Sequence, residues 1–407
     1  MGECANYSVI QLFNQSFNIM KYTAQEQLFF SVVKIHPSQD ELDFVDGLLP
    51  LIEDWSGTVS LLIKQGSAPL FYVKLPALSR VGCIPPEAQK NLQQAYLRTL
   101  SRGMVLYHAF TEIVTAFRQQ GIEVIALKGV YLSEKLYGDI GLRQLSDIDL
   151  LLTDAGQGEK ALQILRTLGY QDAPGNIISE FVQKYVDKEH FDPMVRGEIS
   201  IELHTKLGRS NYSIDTAAMI AHAGSVIIGG VEALALGLND LFIFQCIHLD
   251  KHFRAGGVQM KSFNDLVNLL ALYGDEETMR GLEKACETHR CTELVFQYLG
   301  LVHELYGAPL APEMVHKYSY LLTDQFRERF FYYLHGNEDE YGTGTKHHIL
   351  SLKSMTNRAE KLRYLVTVVF PPKSFMIRKY SIRYLSLFWL WYPYRWYKAL
   401  KSLLTMN

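Results

Sequence analysis

Ile122-Glu123-Val124-Ile125-Ala126-Leu127-Lys128-Gly129 and, further on, Ser146-Asp147-Ile148-Asp149-Leu150-Leu151-Leu152 are the two stretches whose reading decides the fold. The run from Ile122 to Leu127 is short, apolar and β-branched, the composition of a buried strand. Gly129 follows, then a helical stretch from Val130 to Leu136 that closes at Tyr137-Gly138, and a polar loop holding Asp139, Gly141 and Arg143. Asp147 to Leu152 reads as a second strand. Side chains alternate along a strand, so Asp147 and Asp149 leave one face while Ile148 enters the core on the other. Two carboxylates roughly 6 to 7 Å apart along a strand make a platform for one or two magnesium ions. A third strand, Ile199 to His204, alternates apolar Ile199, Ile201 and Leu203 with Ser200, Glu202 and His204, and offers Glu202 as a third carboxylate. Such a trio suits a site where two metals neutralise a triphosphate and activate an attacking oxygen. The Lys128-Gly129 junction supplies the other half. Glycine lets the backbone approach a phosphate, the free amides of a helix start bind anions, and Lys128 adds positive charge.

Outward from this centre the pattern is helical on both sides. Residues 1–85 carry apolar residues at helical spacing, as in Leu42, Val45, Leu48, Leu49 and Ile52. Pro85-Pro86 breaks that pattern, and a long amphipathic helix runs from Pro86 to Gln120, ended by Gly121. Lys160 to Leu168, closed by Gly169, is helical. Beyond about residue 215 the reading is helical throughout, with apolar runs at 233–249, 263–273, 294–305 and 328–334. The expectation is an α/β (α+β) chain with a small mixed-sheet core flanked by N-terminal and C-terminal helical regions. Its units are expected at 1–85, 86–215 with the long helix leading the core, 216–350, and 351–407.

The bulk composition agrees with a folded chain. Of 407 residues, 48% are hydrophobic and 20% charged, with a formal net charge of −3, which argues against a disordered or collagen-like polymer and gives no global call for nucleic acid. Five scattered cysteines, without a CxxC pair, fit a reducing compartment, and Cys286, His289 and Cys291 are too few for a four-ligand zinc site. No basic leader followed by an apolar stretch opens the sequence, and no apolar run reaches the ~18 residues of a membrane span. The expected location is the cytoplasm.

Several residues admit two readings. Arg143 can clamp a phosphate or tie its own loop by pairing with Asp139. His190 and His204 can orient a metal ligand or be ordinary structural histidines. His248, Lys251 and His252, at i, i+3 and i+4, share a helical face that points either at the site or at solvent. From Lys361 to Asn407 no acidic residue occurs, while lysines and arginines interleave with Tyr, Phe and Trp. That segment suits a peripheral membrane surface, an acidic partner, nucleic acid, or an ordinary aromatic cap on the fold.

The constellation resembles the polymerase-β-like nucleotidyltransferases, whose signature is a glycine turn, a helix, Asp-x-Asp on the next strand and a third acid on a later one. It is closer to a bacterial branch of uncharacterised nucleotidyltransferases. The matching residues here are Leu127-Lys128-Gly129, Tyr137, Gly141-Leu142-Arg143, Asp147-Ile148-Asp149-Leu150-Leu151, Gly169-Tyr170 and Glu202-Leu203-His204. The similarity extends upstream through Asp54-Trp55 and downstream through His248, Lys251, His252 and Asp265. Three departures from the wider superfamily are the longer interval between Gly129 and Asp147, Lys before the glycine, and Glu202 where Asp is usual. The resemblance implies Mg2+ or Mn2+ held by Asp147, Asp149 and Glu202, which are also the catalytic acids. It implies a nucleoside triphosphate bound by Lys128, Gly129, Arg143, Lys251 and His252. Transfer of the nucleotide would go to a hydroxyl of a protein, peptide, sugar or RNA end, with pyrophosphate released. The alternative, suggested by Glu202, is a weak or inactive relative that binds nucleotide or a partner. A kinase reading finds neither a Walker loop nor a kinase signature.

Overall fold

The computed structural model describes residues 22–173, 189–208, 212–255 and 260–335, together with positions within 362–404. Among them, seven strands form one mixed sheet in the order β3-β4-β5-β2-β1-β7-β6. The strands are β1 (Val124–Ala126), β2 (Ile148–Leu152), β3 (Gln171–Asp172), β4 (Met194–Arg196), β5 (Ile199–His204), β6 (Gly224–Ile228) and β7 (Val231–Ala235). β2 runs antiparallel to β1 and parallel to β5, and β1 runs parallel to β7.

The three central strands sort their side chains by alternation. Val124, Ala126, Ile148, Leu150, Leu152, Ile201 and Leu203 all enter one apolar core. That core is covered by the second half of α5 (Pro86–Gln119), through Leu106, Phe110, Ile113, Val114 and Phe117, and by α7 (Gly158–Thr167). α5 starts with a proline where the missing N–H costs nothing, and its 34 residues reach about 50 Å. Ile125, Leu127 and Leu151 point the other way, into a larger core.

This second core holds α1 (Ala24–Ser31), α2 (Gln39–Leu48), α3 (Trp55–Lys64) and α4 (Ala68–Tyr72), together with α6 (Lys128–Lys135). It also holds α8 (Thr216–Ala221), α9 (Leu238–Ala255), α10 (Lys261–Tyr273), α11 (Glu276–Thr288), α12 (Thr292–Tyr306), α13 (Pro312–Tyr318) and α14 (Asp324–Leu334). The helical regions that flank the sheet in sequence therefore meet in space. Polar stitches fix them: Asn268 receives the Ile35 N–H and donates to Val33 O, and Gln65 donates to Leu334 O at 2.8 Å. Cys246, Cys286 and Cys291 are free buried thiols of this core, in keeping with a structural role.

The expectation of helix throughout after residue 215 is corrected by the β6–β7 hairpin. Its two-residue turn is Gly229-Gly230, at φ +57° and +83°, closed by the Ile228–Val231 pair. Two successive positive φ values are the demand of a hairpin turn that two glycines meet without strain. The β-branched residues Val226, Ile227, Ile228 and Val231 on either side favour strand over helix. Apolar run 233–249 thus begins in a strand and becomes helical only from Leu238.

One buried ion pair joins the loop before β2 to α10. Arg143 donates through Nε and Nη2 to the two oxygens of Asp265 at 2.8 and 2.7 Å, and Tyr137 Oη donates to Asp265 Oδ1 at 2.9 Å. Burial works against the Arg143 charge, but Asp265 more than offsets it and holds the guanidinium above the ordinary arginine value. Removing one partner leaves the other charge stranded, so Asp265→Ala is expected to cost about 3 to 5 kcal/mol in denaturant unfolding. The apolar pair Arg143→Met/Asp265→Leu should recover most of that loss.

Candidate active site

The β1–α6 turn builds one side of the site. Leu127 leaves the strand extended, its N–H donating to Asp149 O at 3.1 Å, and Lys128 then turns the chain into α6 at φ +46°. A residue with a Cβ is uncommon in the left-handed region and costs on the order of 1 to 3 kcal/mol unless its surroundings hold it. Here the side chain is held at its far end. Lys128 Nζ is buried, donates to Asp149 Oδ1 at 2.9 Å, and lies 5.7 Å from the Phe244 ring centroid. At Gly129 a Cβ would come within 2.8 Å of Leu145 Cδ2 and 3.2 Å of Arg143 Nη1, so a side chain there requires those two ends to shift. No side chain caps the start of α6.

The parallel pairing of β2 and β5 builds the floor. Asp149 lies opposite Glu202 and Leu151 opposite His204, so the polar side chains of both strands leave the face turned to α9 and α10. His204 Nε2 is 3.0 Å from Asp149 Oδ1 and 3.7 Å from Glu202 Oε2. His190, bridged to His204 through the backbone, brings Nε2 within 3.6 Å of Glu202 Oε2. One ligand atom each from Asp149, Glu202 and His204 lie within 4.8 Å of one another. Two carboxylate oxygens and one imidazole nitrogen at that spacing fit a divalent cation.

Helices α9 and α10 supply the facing wall through Gln245, His248, Lys251, His252, Lys261 and Ser262, and the cavity between wall and floor is about 410 Å³. That volume lies in the range of small-molecule sites. Lys128, Gly129, Arg143, Asp147, Asp149, Glu202, Lys251 and His252 all line it. Asp147 stands on the wall, receiving a hydrogen bond from Ser146 Oγ at 2.8 Å, and is outside the three-atom cluster, whose third member is His204. Arg143 lines the cavity yet is committed to Asp265, while Asp139 receives Tyr96 Oη and the Gly141 N–H instead. Lys251 donates to Glu189 at 2.7 Å.

The model of a family described as uncharacterised nucleotidyltransferase matches residues 52–307, which span more than half of the chain and every residue of the cavity wall. The chain belongs to this nucleotidyltransferase family. No curated protein and no solved structure matches it.

Acids and cations face each other across the cavity of this nucleotidyltransferase. Burial opposes the charge of Asp149, but Lys128 and His204 hold its carboxyl well below the usual range. Burial likewise works against the Lys128 ammonium, and Asp149, Glu202 and Asp147 keep its pKa above that of a free lysine. His204 is pushed down, first by burial and then by Lys128 and His190, against the pull of Asp149. Desolvation, and after it Lys128, His252 and Lys251, push His248 well below the ordinary histidine value. Lys261, lowered by burial and by Arg143, titrates at about 8.

Gln245 escaped the sequence reading because nothing in the apolar run 233–249 sets it apart. It is 2% exposed, lines the cavity, and its Nε2 has no hydrogen-bond partner. A buried amide without a partner costs stability that a cavity ligand would restore. Gln245→Leu should therefore leave the melting temperature of the free protein unchanged or raised, while weakening nucleotide affinity roughly tenfold in calorimetric titration.

An anion in the cavity favours the charged form of Lys261. Below about pH 8 that ammonium is already present, and above it binding must take up a proton. Tripolyphosphate affinity is expected to fall as pH rises through about 8, by up to about tenfold per pH unit. Lys261→Arg, which stays charged, should flatten that dependence.

Proposed function

We propose that this nucleotidyltransferase binds a nucleoside triphosphate with Mg2+ or Mn2+ and transfers the nucleoside monophosphate to a hydroxyl acceptor. One observation carries the reading: Asp149 and Glu202, which form a three-atom cluster with the buried His204 behind them, line the same cavity as the uncapped start of α6 at Lys128-Gly129. The donor atoms fit a cation, and Asp147 on the adjoining wall adds a further carboxylate. When bound, the metal would offset the triphosphate charge and make the acceptor hydroxyl more acidic.

The protein's own groups take the remaining roles. The start of α6 at Lys128-Gly129 offers backbone N–H groups to the phosphates, and Lys128 and Lys261 add ammonium charge beside it. Glu202, bordered by His190 and His204, would help hold the cation beside the acceptor hydroxyl, whose proton passes to solvent as the new bond forms. The acceptor oxygen bonds to the α-phosphorus, the bond from that phosphorus to the bridging oxygen breaks, and pyrophosphate leaves with the electron pair. Arg143 acts through the loop it fixes to Asp265.

A second reading, nucleotide binding without turnover, has one observation in its favour. Lys128 Nζ already serves as the counter-ion of Asp149 Oδ1, the oxygen that also faces His204. The two readings separate by incubating the protein with labelled ATP, GTP, CTP and UTP, magnesium or manganese, and pools of protein, sugar and RNA acceptors. Catalysis predicts pyrophosphate release that Asp147→Asn, Asp149→Asn or Glu202→Gln lowers by about a thousandfold without unfolding the chain. Nucleotide binding with no pyrophosphate from any pool decides for the binding module.

A further inference from the structure

Between Lys361 and Asn407 the chain carries nine lysines and arginines, no aspartate or glutamate, and three of its four tryptophans. The described part of this segment is built around helix α15 (Trp391–Leu404), which follows a 3-10 turn at Leu385–Leu390. It is held by its own neighbours. Tyr392 Oη donates to Pro371 O at 2.6 Å, Trp396 Nε1 donates to Val369 O at 2.9 Å, and the Phe370 and Trp396 rings meet edge to face at 5.2 Å. These contacts still leave Phe370 52% and Trp396 39% exposed. Of the twenty-three exposed large apolar side chains among the described residues, thirteen lie here, among them Leu362 at 64%, Trp389 at 55% and Leu400 at 57%.

Such a surface is not one that water alone covers. Its chemistry narrows the occupant. Exposed Leu362, Leu365, Val366, Leu390 and Leu400 have neither the ring to stack on a base nor a polar group to read one, whereas hydrocarbon accepts them. A second copy of the same face is disfavoured, since a segment without one acidic residue repels itself. Ammonium groups sit beside the rings, with Lys398 Nζ 4.9 Å from the Tyr394 centroid and Lys373 Nζ 5.6 Å from that of Phe388. Tryptophan, tyrosine and lysine mixed with aliphatic residues are the composition of the boundary between lipid headgroups and acyl chains. No helix among the described residues is long and apolar enough to cross a membrane. We propose that the face around Phe370 and α15 docks this nucleotidyltransferase onto the surface of an anionic lipid bilayer. The helix lies along the headgroups with Trp391, Trp396 and Leu400 inserted and Arg395 and Lys398 on the phosphates.

The test uses the full chain and two kinds of vesicle, one of pure phosphatidylcholine and one of equal parts phosphatidylcholine and phosphatidylglycerol. The protein should sediment with the anionic vesicles and stay in solution with the neutral ones. In a Trp55→Phe background, tryptophan emission should shift to shorter wavelength on binding, since only the three segment tryptophans then report. The triple variant Lys373→Gln/Arg395→Gln/Lys398→Gln should partition on the order of a hundredfold more weakly. Trp389→Ser/Leu390→Ser should also lose binding at low salt, with an unchanged thermal transition. Equal sedimentation with both vesicles, or none with either, overturns the proposal. So does binding of single-stranded polyuridylate in place of vesicles, or a dimer that Trp389→Ser/Leu390→Ser dissociates.

Discussion

A carboxylate buried as deeply as Asp149 is tolerable only where cations and hydrogen-bond donors replace the water it has lost. Much of the centre of the molecule meets that condition. Lys128 adopts a left-handed backbone to bring its ammonium to Asp149, and the register of β5 against β2 brings His204 to the same oxygen. Phe244, from α9, lies over the lysine and completes the low-dielectric surroundings in which these charges interact strongly. The arrangement is preorganised: the groups that bear charge are held before any ligand arrives, and the strain at Lys128 is carried by the packing around it.

The cavity depends equally on how the helices are placed over the sheet. Its cationic wall belongs to α9 and α10, and its acidic floor to β2 and β5. Arg143 and Asp265 join the two sides, with Tyr137 as a third member, and the shared core of early and late helices keeps α10 from sliding. A single buried pair of this kind adds little net stability but strongly disfavours any other alignment, because a misplaced helix would bury both charges unpaired.

Much of this was legible in the chain itself. Period-two alternation placed Asp149 and Glu202 on the polar face of their strands, and the spacing of His248, Lys251 and His252 placed them on one face of a helix. Strand β5 was found with its observed bounds. The β6–β7 hairpin was hidden because the apolar run from residue 233 continues into α9, so that the Gly229-Gly230 turn and the few β-branched residues around it were the marks of the change of period. Gln245 carries no local signal, since its meaning lies in what stands across the cavity from it, and His204, two residues beyond Glu202 on one strand face, reads equally as a metal-orienting or a structural histidine until folding sets it against Asp149.

Local pattern decided what depends on nearest neighbours along the chain: the strand–turn–helix at Lys128-Gly129, the face from which each acid projects, the long helix begun by proline, and the family signature. Tertiary structure alone decided the partners. Arg143 could meet a phosphate, Asp139 or Asp265 as far as its neighbours say, and packing α10 against the loop before β2 selected Asp265. Likewise the basic stripe of α9 acquired an acidic counterpart only when the sheet was brought beneath it. The physical reason is range: backbone geometry and alternation act over a few residues, whereas burial and Coulomb interactions act between whatever folding places within a few ångströms.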